Sequence, residues 1–307
     1  MSDRLKYIVS WIAWPGLLTI CFAVTAYGFS IDLPIIFFNI SYIFLAVTLF
    51  CLERVMPHEK QWHESDGQTF ANIAHTLLDK GTAQTLVVFS AAIGLSQFMT
   101  PMSEPGHGIW PREWPLFVQV VMGVVVAEFG LYWGHRIAHQ WPLMWRFHAV
   151  HHSVIKLWII NTGRFHFVDS LKSIAMGMAV LLVFGAPEEV MMWLAAVTAF
   201  IGILTHCNVE MRLGKLSWWF NTPHLHRWHH SRVIREGNTN YGENVMIWDH
   251  IFGTWFNPPD RLPPTDIGIS DFMPPKFVHQ LFWPFLTKKK RKEIRLRYKA
   301  AVLQAAE

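Results

Sequence analysis

Residues 115–139 read PLFVQVVMGVVVAEFGLYWGHRIAH, and their reading decides how the rest of the chain is understood. From Pro115 to Gly134 only Glu128 is charged, and the stretch is as long as the ~20 residues an α-helix needs to cross ~30 Å of hydrocarbon. At its end stand His135 and His139. Four residues apart on a helix, they leave it on one face. A membrane span and a pair of imidazoles are thus joined end to end.

Outward from this stretch, Ile8–Phe29, Leu33–Leu52 and Gly81–Phe98 contain no charged residue, so four spans are expected. The N-terminal run is longer than the apolar core of a signal peptide and reads as a retained span. Arg4 and Lys6 before the first span put the N-terminus in the cytoplasm by the positive-inside rule, and four crossings return the chain there at His135. A further apolar stretch, Ser173 to Thr205, is broken by Gly185-Ala186-Pro187-Glu188-Glu189. Its pieces, roughly 14 and 16 residues, suit a re-entrant or short helical hairpin, with two short full spans as the alternative.

The expected fold is all-α: a polytopic membrane helical bundle of four spans plus that hairpin, with a cytoplasmic helical cap carrying a histidine-rich di-metal site. The 307 residues form one membrane-embedded unit, with N-terminal spans over 1–114, a catalytic region over 115–260 and a basic cytoplasmic tail over 261–307.

Composition agrees with a bilayer. Of the residues 52% are hydrophobic and only 16% charged, where a soluble domain carries about 25% charge. The formal charge of +4 is a property of the tail: Lys288–Lys299 holds eight Lys/Arg against Glu293, and the remainder is net acidic. Such a tail suits an anionic leaflet, and no nucleic-acid partner is expected. Cys21, Cys51 and Cys207 have neither the spacing of a thiolate metal site nor that of a disulfide framework.

Eight of the 17 histidines fall in three clusters: His135-x-x-x-His139, His148-x-x-His151-His152 and His226-x-x-His229-His230. At helical spacing each cluster presents its imidazoles together. Imidazole suits iron, zinc, copper and nickel, and a set without cysteine disfavours iron–sulfur clusters and the usual structural zinc sites. Eight donors exceed the need of one ion, so two metals with open positions are expected. His58, His63, His75, His107, His250 and His279 read as ordinary core or surface histidines.

The ordered boxes HRIAH, HAVHH and HRWHH, with RFHFVDS after the second, LTHCN before the third and NYGENVMIWDHIFGTW after it, resemble the fatty acid hydroxylase/sterol desaturase superfamily over residues 120–260. The resemblance implies a membrane-bound di-iron (Fe2+) centre, O2 as co-substrate and oxidation of a lipid C–H bond. It makes ligands of His135, His139, His148, His151, His152, His226, His229 and His230, with His206 as a ninth. His166 stands where many relatives have His-Pro, but here Phe167 follows, so its role is left open; His224 is set outside the metal's ligands.

Metal-bound imidazoles donate their other N–H to an acceptor, and Glu128, Asp169 and Asp249 are the candidate carboxylates. No G-x-G-x-x-G dinucleotide fingerprint occurs, so electrons are expected from a ferredoxin- or cytochrome b5-like protein and its reductase. Hydroxylation is favoured; a sterol-type desaturase and, from another class, a membrane metal transporter are the alternatives.

Overall fold

The computed structural model describes residues 1–78, 81 and 108–306. Among these the chain is helical, and its only β-pairing is three isolated bridges. Five helices are long and apolar enough to cross a membrane: α1 (Asp3–Ser30), α2 (Pro34–Val55), α3 (Leu116–Gln140), and two more described below. Ser2 starts α1, its hydroxyl accepting the Leu5 N–H at 3.4 Å. Pro34 opens α2 at a position where a missing N–H costs nothing. Except for Gly81, the expected span Gly81–Phe98 lies outside the described residues.

After α3 the chain turns over Trp141 into the short α4 (Pro142–His152). The expected hairpin follows as α5 (Phe167–Phe184) and α6 (Glu188–His206), of 18 and 19 residues. Both reach span length, longer than the apolar pattern suggests. The difference lies at the start of α5, where Asp169 and Lys172 interrupt the apolar run yet bond each other at 2.6 Å inside the helix. Gly185 closes the hairpin in the left-handed conformation (φ 78°), with the Ala186 N–H reaching back to the Leu181 carbonyl.

Helices α1, α2 and α6 share a core of Trp14, Leu45, Leu49, Phe200 and Leu204. On the other side α3 lies so close to α5 that a Cβ at Gly130 would collide with the Met176 carbonyl oxygen; small residues permit this approach in membrane helices. The beginnings of α1 and α5 and the ends of α2, α3 and α6 meet at one end of the bundle. There Glu53 accepts the N–H groups of Ile159 and Asn208, each at 2.8 Å, and Arg212 N–H bonds the Ser10 carbonyl. Beyond this end lie α7 (Pro223–His229) and the basic α8 (Lys288–Ala306).

Candidate metal centre

The three boxes sit on three helix ends. His135 and His139 occupy the last turns of α3; His148, His151 and His152 close α4; His226 and His229 lie on α7, with His230 capping it. Proline at the first position of both α4 and α7 fixes where these short helices begin. Two buried arginines hold the neighbouring backbone. Arg164 donates to the Val150 carbonyl at 3.1 Å and the Ser153 hydroxyl at 2.8 Å, while Arg227 reaches the carbonyls of Cys207 and Val209 just past α6.

The imidazoles form two groups: His135, His139, His148, His152 and His229 in one, and His151, His206, His226 and His230 in the other. Within each, one nitrogen per ring lies within 4.8 Å of all the others. Each H-x-x-H-H box is split, because residues four apart stay in register while the residue three apart is rotated to the other side. His148 and His152 join the first group and His151 the second; His226 and His230 join the second and His229 the first. The groups adjoin through the stacked rings of His152 and His230, whose centroids are 4.3 Å apart.

Six of the nine rings have Nδ1 placed to donate to an acceptor. His148 meets the Asp169 carboxylate at 2.7 Å, His135 the Tyr241 carbonyl at 2.8 Å and His229 the Thr239 carbonyl at 2.7 Å. His151 reaches the Arg164 carbonyl, His139 the Asn238 side-chain oxygen and His206 that of Asn161. A carbonyl only accepts, so the proton sits on Nδ1 and the Nε2 lone pairs face inward.

These inward nitrogens approach one another at 2.9 Å (His135–His229, His206–His226), 3.1 Å (His135–His148, His139–His152) and 3.2 Å (His151–His230). Two lone pairs cannot bond each other. A cation bound at ~2.1 Å to two imidazoles at right angles would set them about 3.0 Å apart, so the donor set fits transition-metal ions. Burial, reinforced by neighbouring imidazoles, lowers His151, His152, His226 and His230 well below the usual histidine range, and burial takes His229 to about 3. All five are neutral at pH 7, as ligands must be.

Of the three candidate carboxylates, Asp169 alone touches an imidazole. Glu128, seven residues before His135, is about 10 Å away along the helix. Its oxygens instead accept the backbone N–H groups of Glu243 (2.5 Å) and Asn244 (3.0 Å). Asp249 grips the same loop through the N–H groups of Tyr241 and Gly242 at 2.8 and 2.7 Å. Both therefore act on His135 indirectly, through the loop whose Tyr241 carbonyl receives it.

His166 is not with the groups. Its Nδ1 caps α5 by accepting the Val168 N–H, and its Nε2 bonds the Leu281 carbonyl. His224 faces Asn257. Asn161 and Asn238 escaped the sequence reading, as did the carbonyls of Arg164, Thr239 and Tyr241. Asn238 and Tyr241 lie within or beside the quoted NYGEN flank, but a carbonyl leaves no side-chain signal.

A cavity of about 410 Å³ borders both groups. His151, His206 and His226 line one wall, Phe38 and Tyr42 of α2 and Ile203 of α6 another. A separate cavity of about 400 Å³ is lined by Trp145, Arg232 and Asp271 together with His139, His152 and His229.

Helices of membrane-spanning length that end in two imidazole-only groups beside an apolar cavity define a membrane protein with a histidine-rich site suited to metal ions. The chain belongs to the fatty acid hydroxylase family, whose profile matches residues 120–254, and it is an oxidoreductase. It is similar to the ornithine lipid hydroxylase OlsE of Rhizobium tropici, 50% identical over 299 residues that cover 95% of this chain and 88% of that protein. It also resembles the alkylglycerol monooxygenases of Xenopus tropicalis (31% over 146 residues) and Homo sapiens (30% over 152), each over 48% of this chain. The chain spans about a third of their length, 31% and 32%. No solved structure matches it.

Proposed function

We propose that the protein hydroxylates a C–H bond of an ornithine-type aminolipid, using O2 and two Fe2+ ions held by the nine gathered histidines. The observation that carries this reading is the pair of imidazole-only groups opening on an apolar cavity. The extended likeness to an ornithine lipid hydroxylase supports the substrate class. Iron in such a donor set supplies reductive activation of O2 and delivery of one oxygen atom to carbon. O2, a pair of electrons and a pair of protons are consumed, and the second oxygen leaves as water.

The protein's own part is positional. Carbonyls and Asp169 hold the imidazoles in the ligand tautomer. Phe38, Tyr42 and Ile203 align the lipid and keep bulk water from the reacting carbon. Electrons come from a separate ferredoxin- or cytochrome b5-like donor. The metal end and both chain termini face the cytoplasm, where the Lys/Arg-rich α8 meets anionic headgroups.

The test is to purify the chain in nanodiscs, count metal per chain, and incubate it with ornithine lipid, a ferredoxin system and 18O2. About two irons and a product heavier by one labelled oxygen are expected. Loss of two hydrogens without added oxygen would replace hydroxylation by desaturation, and a single exchangeable zinc without turnover would sink the reading.

A further inference from the structure

The larger cavity has polar lining residues that the metal groups leave unused. Asn221 is buried and lines the cavity. Its Nδ2 donates to the carbonyls of Gly242 (2.8 Å) and Glu243 (3.4 Å), which fixes Oδ1 as its remaining edge. That oxygen is buried without a hydrogen-bond partner, and so is the hydroxyl of Thr162, another lining residue. Glu243 lines the same space, on a loop pinned by Glu128 and Asp249. Glu243 takes a hydrogen bond from the Ser173 hydroxyl, and the cation that acts on it, Lys172, is engaged by Asp169 at 2.6 Å.

A carboxylate with one side-chain hydroxyl donor and an amide oxygen with none thus share one cavity with the Thr162 hydroxyl. An unpaired acceptor enclosed away from water is costly, so the complementary ligand brings several N–H donors and a positive charge. A primary ammonium has three donors and no acceptor. A phosphate or carboxylate would meet the Glu243 carboxyl and the Asn221 oxygen as acceptors of its own kind, with only the Thr162 hydroxyl of the three able to donate to it.

We propose that Glu243, with Asn221 Oδ1 and Thr162 Oγ1, is the subsite that binds the primary ammonium of the lipid headgroup. The subsite rests on the aminolipid reading above and adds the residues that select the amine. Five histidines of both groups line the same cavity, so an anchored amine also limits how far the lipid can slide past the metal centre. Asp169 also lines this space, but its charge is shared between His148 and Lys172. That leaves Glu243 as the carboxylate for the ligand.

The full chain in nanodiscs is tested with radiolabelled ornithine lipid and its N-acetylated counterpart, which keeps the chains but loses the charge. Equilibrium binding, turnover and metal content are read together. The wild type is expected to prefer the free amine by roughly ten- to a hundred-fold, the worth of hydrogen bonds to a charged group. Glu243→Gln should bring the preference near unity with metal content unchanged, and Thr162→Val, which removes no existing side-chain bond, should reduce it a few-fold. If Glu243→Gln keeps the preference while the wild type oxidises ornithine lipid, the subsite is refuted and the function stands. If the variant instead loses its metal and both lipids together, Glu243 serves the metal centre and the subsite is equally refuted. A wild type that neither binds nor oxidises ornithine lipid overturns the functional reading, and the subsite falls with it.

Discussion

Replacing Asp169 by Asn changes one atom, yet it should weaken metal binding at the first histidine group. In the wild type Oδ2 receives the His148 Nδ1–H at 2.7 Å and Oδ1 receives the Lys172 ammonium at 2.6 Å. An ammonium has no acceptor, so in Asp169→Asn the amide oxygen must face Lys172 and the NH2 must face His148. That ring then accepts at Nδ1 and carries its proton on Nε2, the atom 3.1 Å from the Nε2 atoms of His135 and His139. A protonated Nε2 cannot ligate. Losing such a partner costs about 10- to 100-fold in metal affinity, or roughly 1.4–2.7 kcal/mol. Titrating Fe2+ against a competing chelator measures it. The double variant Asp169→Asn, Lys172→Met frees the amide to turn its oxygen back to His148, and should recover part of the loss. An Asp169→Asn protein with wild-type affinity, or a double variant no better than the single one, would refute the tautomer argument.

Alanine at any of the eight box histidines should abolish turnover while membrane insertion, set by the apolar helices, persists; His58→Ala, which removes a half-exposed pair with Glu210, should cost under about 1 kcal/mol. Box variants with full iron and activity would exclude those residues as ligands. Gly130→Val must push α3 from the Met176 carbonyl, at about 1–3 kcal/mol, and should lower Tm by several degrees, whereas Gly16→Ala, which meets nothing within 4 Å, should leave Tm unchanged. Reporters fused after Arg54 and after Lys290 should lie in the cytoplasm and one inserted after Ile109 on the opposite face; finding all three on one side would break the proposed orientation.

The sequence made the helices and the gathered imidazoles legible because hydrophobic runs and histidine spacing are side-chain signals. His206 was reachable too, since it ends an apolar run 20 residues before His226. The start of α5 was not, because Asp169 and Lys172 neutralise each other in a way that only their placement shows. Nor was the division of the boxes: three imidazoles at helical spacing look like one face, but the 100° between an i+3 and an i+4 residue separates His151 from His152 when two centres stand side by side. Glu128 sat on the expected face at the wrong height, and the acceptors it supports are backbone atoms common to every residue type.

The crossed allotment of the boxes makes the two centres interlock like a dovetail. An ion that ties His148 and His152 to His229 also fixes the short helix bearing His226 and His230; one that ties those two to His151 fixes α4 in return. Whichever ion arrives first removes orientational freedom that the second would otherwise have to remove, which is positive cooperativity without a change of shape. Loading should therefore run from empty to doubly filled with little half-filled protein between, and a chelator strong enough to extract one ion should extract both.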